Sequence, residues 1–172
     1  MKTKSNLFVI LSLVAIGGLQ GQTAPAAAPA SSAAAPAATA AAPAMAPLVV
    51  DIVVNDMMSF SVTKIEAKPG QIVTIKLKNT GTLPKEAMAH NWILLKGGVD
   101  MNAYAAAAAN AKAENFQPKA LADQVYASIP MIGAKQTGEV TFTCPTTPGT
   151  YKYLCSCYGH ALTGMKGTLV VK

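Results

Sequence analysis

The chain has 172 residues, of which 51% are hydrophobic, and it carries a formal net charge of +6 at pH 7. This length suits one sizeable domain. All 14 basic residues are lysines, and lysine lacks the forked contacts that arginine makes with phosphates and base edges, so a nucleic-acid partner is not expected.

Residues 1–21 have the pattern of an export signal. Lys2 and Lys4 precede an apolar run over residues 7–19, which is shorter than the roughly 20 residues of a membrane helix. Small residues follow, so cleavage after Gly21 is predicted. An uncleaved signal anchor is the alternative. We expect a periplasmic or otherwise extracytoplasmic protein, with or without a membrane tether at its N-terminus.

Residues 22–47 are almost entirely alanine and proline and carry no charge. Proline at short intervals breaks an alanine helix, so this low-complexity segment is predicted to be a semi-stiff, extended spacer. The folded domain is therefore predicted to span residues 48–172.

Short strands separated by turns account for most of that domain. Period-two alternation and turn residues predict an all-β antiparallel sandwich. "EVTFT" and "YKYLC" are predicted to pair as a hairpin around the turn "PTTPGT". Residues 101–116 are alanine-rich and end before Pro118, which predicts a helical insertion. The predicted strands are "LVVDIVV", "MSFSVTKIEA", "QIVTIKLKN", "HNWILL", "EVTFT", "YKYLC" and "MKGTLVVK".

Soft metal ligands concentrate near the C-terminal end of the chain. Cys155, Cys157, His160 and Met165 lie within eleven residues, and His90 begins a strand further upstream. Two histidines, one cysteine and a weak methionine are the ligands of a blue-copper site. The number of cysteines is odd, which also suggests a thiol outside any disulfide. Spacing alone leaves open which of the two cysteines binds.

Two segments resemble a known family. "LPKEAMAHNWIL" and "YKYLCSCYGHALTGMKGTLVVK" are similar to the copper-binding segments of azurin and auracyanin, which are blue copper proteins with a cupredoxin fold. "NDMMSF" and "MIGAKQTGEVTF" also match azurin-like segments in order and spacing. The resemblance covers nearly all of residues 48–172. It implies a Greek-key cupredoxin β-sandwich and one type 1 copper ion.

The resemblance also implies the ligand set. His90, Cys155 and His160 match the strong ligands and Met165 the axial one, while the backbone carbonyl of Ala89 is a candidate weak contact. Cys155 stands at the end of a strand, as the ligand cysteine does in azurins and plastocyanins. For Cys157 to take that place, the strand would have to be shifted by two residues, so Cys155 is the predicted ligand.

The chain departs from azurins at several positions. No cysteine precedes Cys144, so the azurin disulfide is absent, and Asn79 and Ser128 stand where some azurins carry further histidines. A pH-dependent redox switch of that kind is therefore not expected. A Cys144–Cys157 disulfide is not expected either, because the predicted hairpin would separate them by roughly 20 Å at about 3.3 Å per residue. Cys144 is predicted to pack as a small hydrophobic residue.

We therefore expect an exported mononuclear type 1 copper protein that carries single electrons between redox partners. No general base, nucleophile pair or open substrate position is evident, so no enzyme is predicted. Asn91 is predicted to tie the two ligand segments together, and the Cys157 N–H to donate to the Cys155 sulfur. A monomer is expected. By resemblance, the apolar docking patch around His160 consists of Met58, Leu83, Ala87, Met88, Tyr158, Gly159 and Leu162.

Two other copper functions compete with electron transfer. A storage or delivery protein would hold Cu(I) through Cys155, Cys157 and methionines. A binuclear copper centre would also use two cysteines, a histidine and a methionine on one loop, but it separates its cysteines more widely than Cys155 and Cys157. The optical spectrum distinguishes electron transfer from storage or delivery, because a thiolate bound to Cu(II) gives an intense visible band and a Cu(I) carrier does not.

Overall fold

The computed structural model describes residues 45–172. The predicted export signal and nearly all of the predicted spacer lie outside the described residues. The described residues contain eight strands, one α-helix and two short 3-10 turns at Lys112–Glu114 and Lys119–Gln124. The strands are β1 (Leu48–Val54), β2 (Lys64–Ala67), β3 (Ile72–Asn79), β4 (His90–Leu95), β5 (Val125–Ile132), β6 (Thr137–Thr143), β7 (Gly149–Leu154) and β8 (Lys166–Val171), and the helix is α1 (Met101–Ala109).

The strands form two sheets. One has the order β1-β3-β6 and the other the order β2-β8-β7-β4-β5. Buried side chains of both sheets make one core cluster, so the sheets are the two layers of a sandwich. The predicted β-sandwich with a helical insertion is confirmed. It is not wholly antiparallel, because β1 pairs with β3, and β2 with β8, in parallel.

The predicted hairpin is wrong. β6 pairs with β3 in the smaller sheet, whereas β7 pairs with β4 and β8 in the larger one. The "PTTPGT" segment therefore carries the chain from one sheet to the other. The distance estimated between Cys144 and Cys157 used that hairpin, yet its conclusion holds, because both thiols are free. Cys144 is 1% exposed in the core, as predicted.

β4 is buried on both of its faces. Trp92 and Leu94 belong to the core between the sheets, and Ile93 and Leu95 belong to a second cluster with α1. Period-two alternation places His90 on the same face as Trp92 and Leu94. β4 therefore places its first residue, His90, at the end of the main core.

The helical insertion is shorter than predicted. α1 begins after Asp100, whose side chain accepts hydrogen bonds from the N–H groups at the first turn, and it ends at Ala109 rather than residue 116. Asn115 and Phe116 have φ angles of 53° and 57°, which a right-handed helix does not contain. The chain after α1 therefore turns sharply, and this turn returns it towards the ligand loop. No helix among residues 45–172 is long and apolar enough to cross a membrane.

Candidate metal centre

One loop between neighbouring antiparallel strands carries most of the predicted ligands. It leaves β7 at Cys155 and enters β8 after Met165. Backbone hydrogen bonds close it, from the Cys155 N–H to the Met165 carbonyl (3.0 Å) and from the Met165 N–H to the His160 carbonyl (3.0 Å). Gly159 and Gly164 have φ angles of 77° and 107°, which other residues adopt only with strain. The loop is therefore fixed at both ends and folded back on itself.

The remaining histidine comes from β4, which is β7's neighbour in the same sheet. The loop before β4 is tied to the end of β1 by the Asp56 carboxylate, which accepts from the Thr82 N–H (2.9 Å) and hydroxyl (3.0 Å). Gly81 lies so close that any side chain there would collide with this carboxylate. These contacts set the path by which the chain reaches His90.

The structure brings His90, Cys155 and His160 together. Their candidate ligand atoms all lie within 4.8 Å of one another. The Cys155 Sγ and the His160 Nδ1 are 3.4 Å apart, and the centroids of the two imidazole rings are 5.0 Å apart. Met165 is fully buried in the same core cluster as Cys155. A thiol and two imidazoles thus meet at one end of the sandwich, and the loop that carries two of them ends at a buried methionine.

Burial keeps these groups uncharged in the absence of a metal. It raises the pKa of the Cys155 thiol to about 12, although the backbone N–H groups of Asn91 and Cys157 favour the thiolate. Burial also lowers the pKa of His160 to about 4, with the neighbouring His90 adding to the shift. The pKa of His90 is lowered by burial as well, against weaker opposing effects of Asn55 and Asp56. Neutral imidazoles are the form that binds a metal, and a cation would displace the thiol proton.

The donor set fits copper. Both ring nitrogens of His90 are buried, and neither makes a hydrogen bond of normal geometry to the described residues. Buried polar atoms without hydrogen-bond partners are rare in native proteins, and a role as metal ligands is one ordinary explanation. Imidazole and thiolate together, with a weak thioether, are the ligands of a blue-copper site.

Hydrogen bonds fix the residue that follows Cys155. The Asn91 side chain donates to the Ser156 hydroxyl (2.8 Å) and accepts from the Ser156 N–H (2.8 Å). The predicted role of Asn91 in tying the two ligand segments together is confirmed. The Ser156 hydroxyl in turn donates to the Phe116 carbonyl (2.6 Å). The sequence did not reveal Phe116 because it contributes a backbone group, which no residue pattern marks.

Cys157 lies outside the ligand cluster. It is half-buried, and the N–H groups of Tyr158 and Ala89 are close to its thiol. Burial raises the pKa of this thiol. The structure thus brings Cys155, at the end of β7, close to the two histidines. Cys157 is not part of this cluster. Cys157 and His160 line the same groove.

The two-sheet sandwich and the buried His-Cys-His cluster, with a methionine ending its loop, define a copper protein of the cupredoxin fold. A family model described as copper binding proteins of the plastocyanin/azurin family matches residues 47–172. The chain belongs to this family, whose azurin and auracyanin members are blue copper electron carriers.

Individual relatives are auracyanins and azurins. Auracyanin-B of Chloroflexus aurantiacus is 37% identical over 121 residues, which cover 67% of this chain and 48% of that protein, or about half its length. Azurin of Pseudomonas fluorescens biotype C is 36% identical over 120 residues, which cover 68% of this chain and 92% of that protein. The crystal structure of dithionite-reduced auracyanin from Roseiflexus castenholzii aligns with a TM-score of 0.65 at 31% identity, covering 74% of this chain and 99% of that one.

Proposed function

We propose that the protein is an exported carrier of single electrons with one type 1 copper ion. His90, Cys155 and His160 would hold the metal strongly, and Met165 would be a weak ligand. The observation that carries the proposal is the buried cluster of two imidazoles and one thiol, closed by a loop that ends at a buried methionine. When bound, copper would supply a one-electron couple between Cu(I) and Cu(II).

The chain's own residues hold this site in one arrangement. The loop is closed by backbone hydrogen bonds, and its second residue is fixed by Asn91 and by the Phe116 carbonyl. Ligands that are fixed in this way move little when the metal changes its charge. Small movement of the ligands favours rapid electron transfer. Ala89 is buried directly before His90, and a weak contact from its carbonyl remains a prediction.

Partners would dock at the His160 end of the sandwich. Several side chains of the predicted apolar patch are exposed there, with Leu83 at 43%, Tyr158 at 72% and Leu162 at 75%. Exposed apolar groups of this kind suit brief encounters between redox proteins. Relatives are extracytoplasmic copper proteins, and an extracytoplasmic, monomeric carrier, with or without an N-terminal tether, is the corresponding proposal for this chain.

The optical and electron-spin spectra of the oxidised, copper-loaded protein test this function. We expect an intense visible band from thiolate-to-copper charge transfer. Cys155→Ser should abolish the band because it removes the thiolate. Cys157→Ser is the matched control and should retain it, since Cys157 lies outside the cluster.

Each other outcome has a distinct meaning. A band that survives in Cys155→Ser and disappears in Cys157→Ser would make Cys157 the ligand. A protein that binds Cu(I) tightly but never gives a visible band with Cu(II) would be a storage or delivery protein instead.

A further inference from the structure

A groove of about 630 Å³ opens beside His160. One wall is the turn before β4, and the other is the segment that follows α1. His160, Cys157 and Tyr158 also line it. His160 is 96% buried, so a partner can approach it only through an opening in the surface. This groove is such an opening beside the candidate metal centre. The residues that line the groove include Lys85, Glu86, Lys112, Cys157, Tyr158 and His160.

Two lysines from separate elements line the groove. Lys85 belongs to the turn before β4, and Lys112 begins the first 3-10 turn. None of the three ion pairs among residues 45–172 uses either lysine. Glu86 is the only acidic residue of the lining. The groove therefore presents more positive than negative charge, and its cations are not neutralised within the described residues.

The Lys85 side chain is exposed, but its stem lies beside another part of the chain. This stem lies over Gly133, where an added Cβ would come within 2.9 Å of the Lys85 Cβ, 3.3 Å of its Cγ and 3.4 Å of its Cδ. The turn that carries it is itself fixed, because the N–H groups of Ala87 and Met88 both donate to the Pro84 carbonyl. A lysine whose stem is packed loses less freedom when its ammonium group binds an anion.

The charged groove continues into the apolar docking patch around His160. Tyr158 belongs to both, and Leu83 precedes Lys85 by only two residues. A partner that covers the exposed apolar side chains would therefore place its own rim against Lys85 and Lys112. An acidic rim would be attracted, and a basic rim would be repelled.

We propose that this groove receives acidic side chains of a redox partner protein, which pair with Lys85 and Lys112 while the apolar face packs around His160. This inference rests on the proposed electron-carrier function. The two lysines would act mainly on the rate of encounter, because complementary charge steers association and is screened by salt.

The test uses the full-length, copper-loaded, oxidised protein. Reduction by anionic hexacyanoferrate(II) and by cationic hexaammineruthenium(II) is followed in a stopped-flow instrument as loss of the visible band. Each reaction moves one electron, from the metal of the complex to copper. Lys85→Gln/Lys112→Gln should slow the anionic reductant several-fold at low salt and accelerate the cationic one, and both effects should fade at high salt.

A matched control separates the groove from net charge. Lys96→Gln/Lys152→Gln removes the same charge from a different cavity, which Lys96 and Lys152 line with Thr150. It should change both rates much less. Equal effects of the two double variants, or no effect of the groove variant, would overturn the proposal. The visible band and the unfolding temperature establish that each variant is folded and loaded.

A short acidic peptide tests the nature of the partner. Hexaglutamate should slow reduction of the parent protein by hexacyanoferrate(II), and it should have little effect on the groove variant. If the groove variant alters the rates but hexaglutamate never inhibits, the groove is a site for small anions and the proposed protein partner is wrong. If neither complex reduces the parent protein at all, the electron-carrier function itself fails, and this proposal fails with it.

Discussion

Cys155 and Cys157 are two residues apart but occupy different environments. Cys155 is fully buried among the histidines, whereas Cys157 is half-buried and lines the groove beside His160. Tyr151, Tyr153 and Cys155 all belong to the main core, as the two-residue period of β7 predicts. Beyond the end of the strand that period no longer applies, so Cys157 is free to point elsewhere.

This difference predicts selective chemistry at Cys157. Iodoacetamide should label one thiol in the folded, copper-loaded protein and leave the visible band intact, because Cys144 and Cys155 are buried. The raised pKa of Cys157 means that labelling should accelerate as the pH rises towards that pKa. Mass spectrometry of a digest identifies the site, and Cys157→Ser is the unlabelled control. Labelling only after denaturation would place Cys157 in the core.

Met165 is predicted to tune the metal rather than to hold it. Met165→Leu should leave a coloured site with a higher reduction potential, because a hydrocarbon replaces a thioether that favours Cu(II). Voltammetry measures the change. Met131→Leu is the control, since Met131 lines the groove near His160 but lies outside the predicted ligand set. A Met165→Leu protein that cannot bind copper would show that the thioether is a strong ligand.

At the level of elements, Ser156 joins three separate parts of the chain. Ser156→Ala removes the hydrogen bonds that its hydroxyl makes with Asn91 and with the Phe116 carbonyl. We expect a loss of about 1–3 kcal/mol in the free energy of unfolding, because buried polar groups are left without partners. Denaturant titration measures it.

Thr141→Ala is the matched control for that change. The Thr141 hydroxyl also makes a hydrogen bond, to the Thr74 hydroxyl (2.8 Å), but on an exposed sheet surface. Its loss should cost less than about 0.5 kcal/mol, since water replaces the missing partner. Equal losses in the two variants would mean that Ser156 does not brace the ligand loop.

The sequence predicted the presence of strands better than their partners. Period-two alternation reports which side chains are buried, and it does not report which strand lies alongside, so β6 and β7 were wrongly paired. β5 was not predicted at all. It lies at the edge of the larger sheet and contains Pro130, which an edge strand tolerates but a strand pattern excludes.

The clustering of the candidate ligands His90, Cys155 and His160 was easier to predict than the topology. Three of the predicted ligands stand on one short loop, where spacing in the sequence is also spacing in the fold. His90 lies far away along the chain, and it was linked to that loop by the two-histidine requirement of a blue-copper site and by the resemblance of its flanking residues. The Phe116 carbonyl and the groove were beyond prediction, because each depends on how the insertion folds against the loop.

For the whole molecule, residues before Met45 are predicted to add nothing to the folded domain. A chain that starts at Met45 keeps the Ala46 carbonyl, which accepts from the Gln71 side chain (2.8 Å). It should match the full chain in unfolding temperature and in its copper spectrum. A chain that starts at Val53 should be strongly destabilised, because it loses most of β1 and its pairing with β3. A large loss of stability on starting at Met45 would contradict the predicted role of residues 22–47 as a spacer.

The hydrogen bonds that close the ligand loop have a consequence for how such proteins diverge. Cys155 and Met165 are joined across the mouth of the loop, at the point where β7 and β8 already pair. Insertions or deletions between them can therefore be absorbed as an outward bulge, without shifting the register of either strand. Mutation can change the length of this segment as a unit, and natural selection can adjust the redox properties of the metal while the inherited sandwich stays the same.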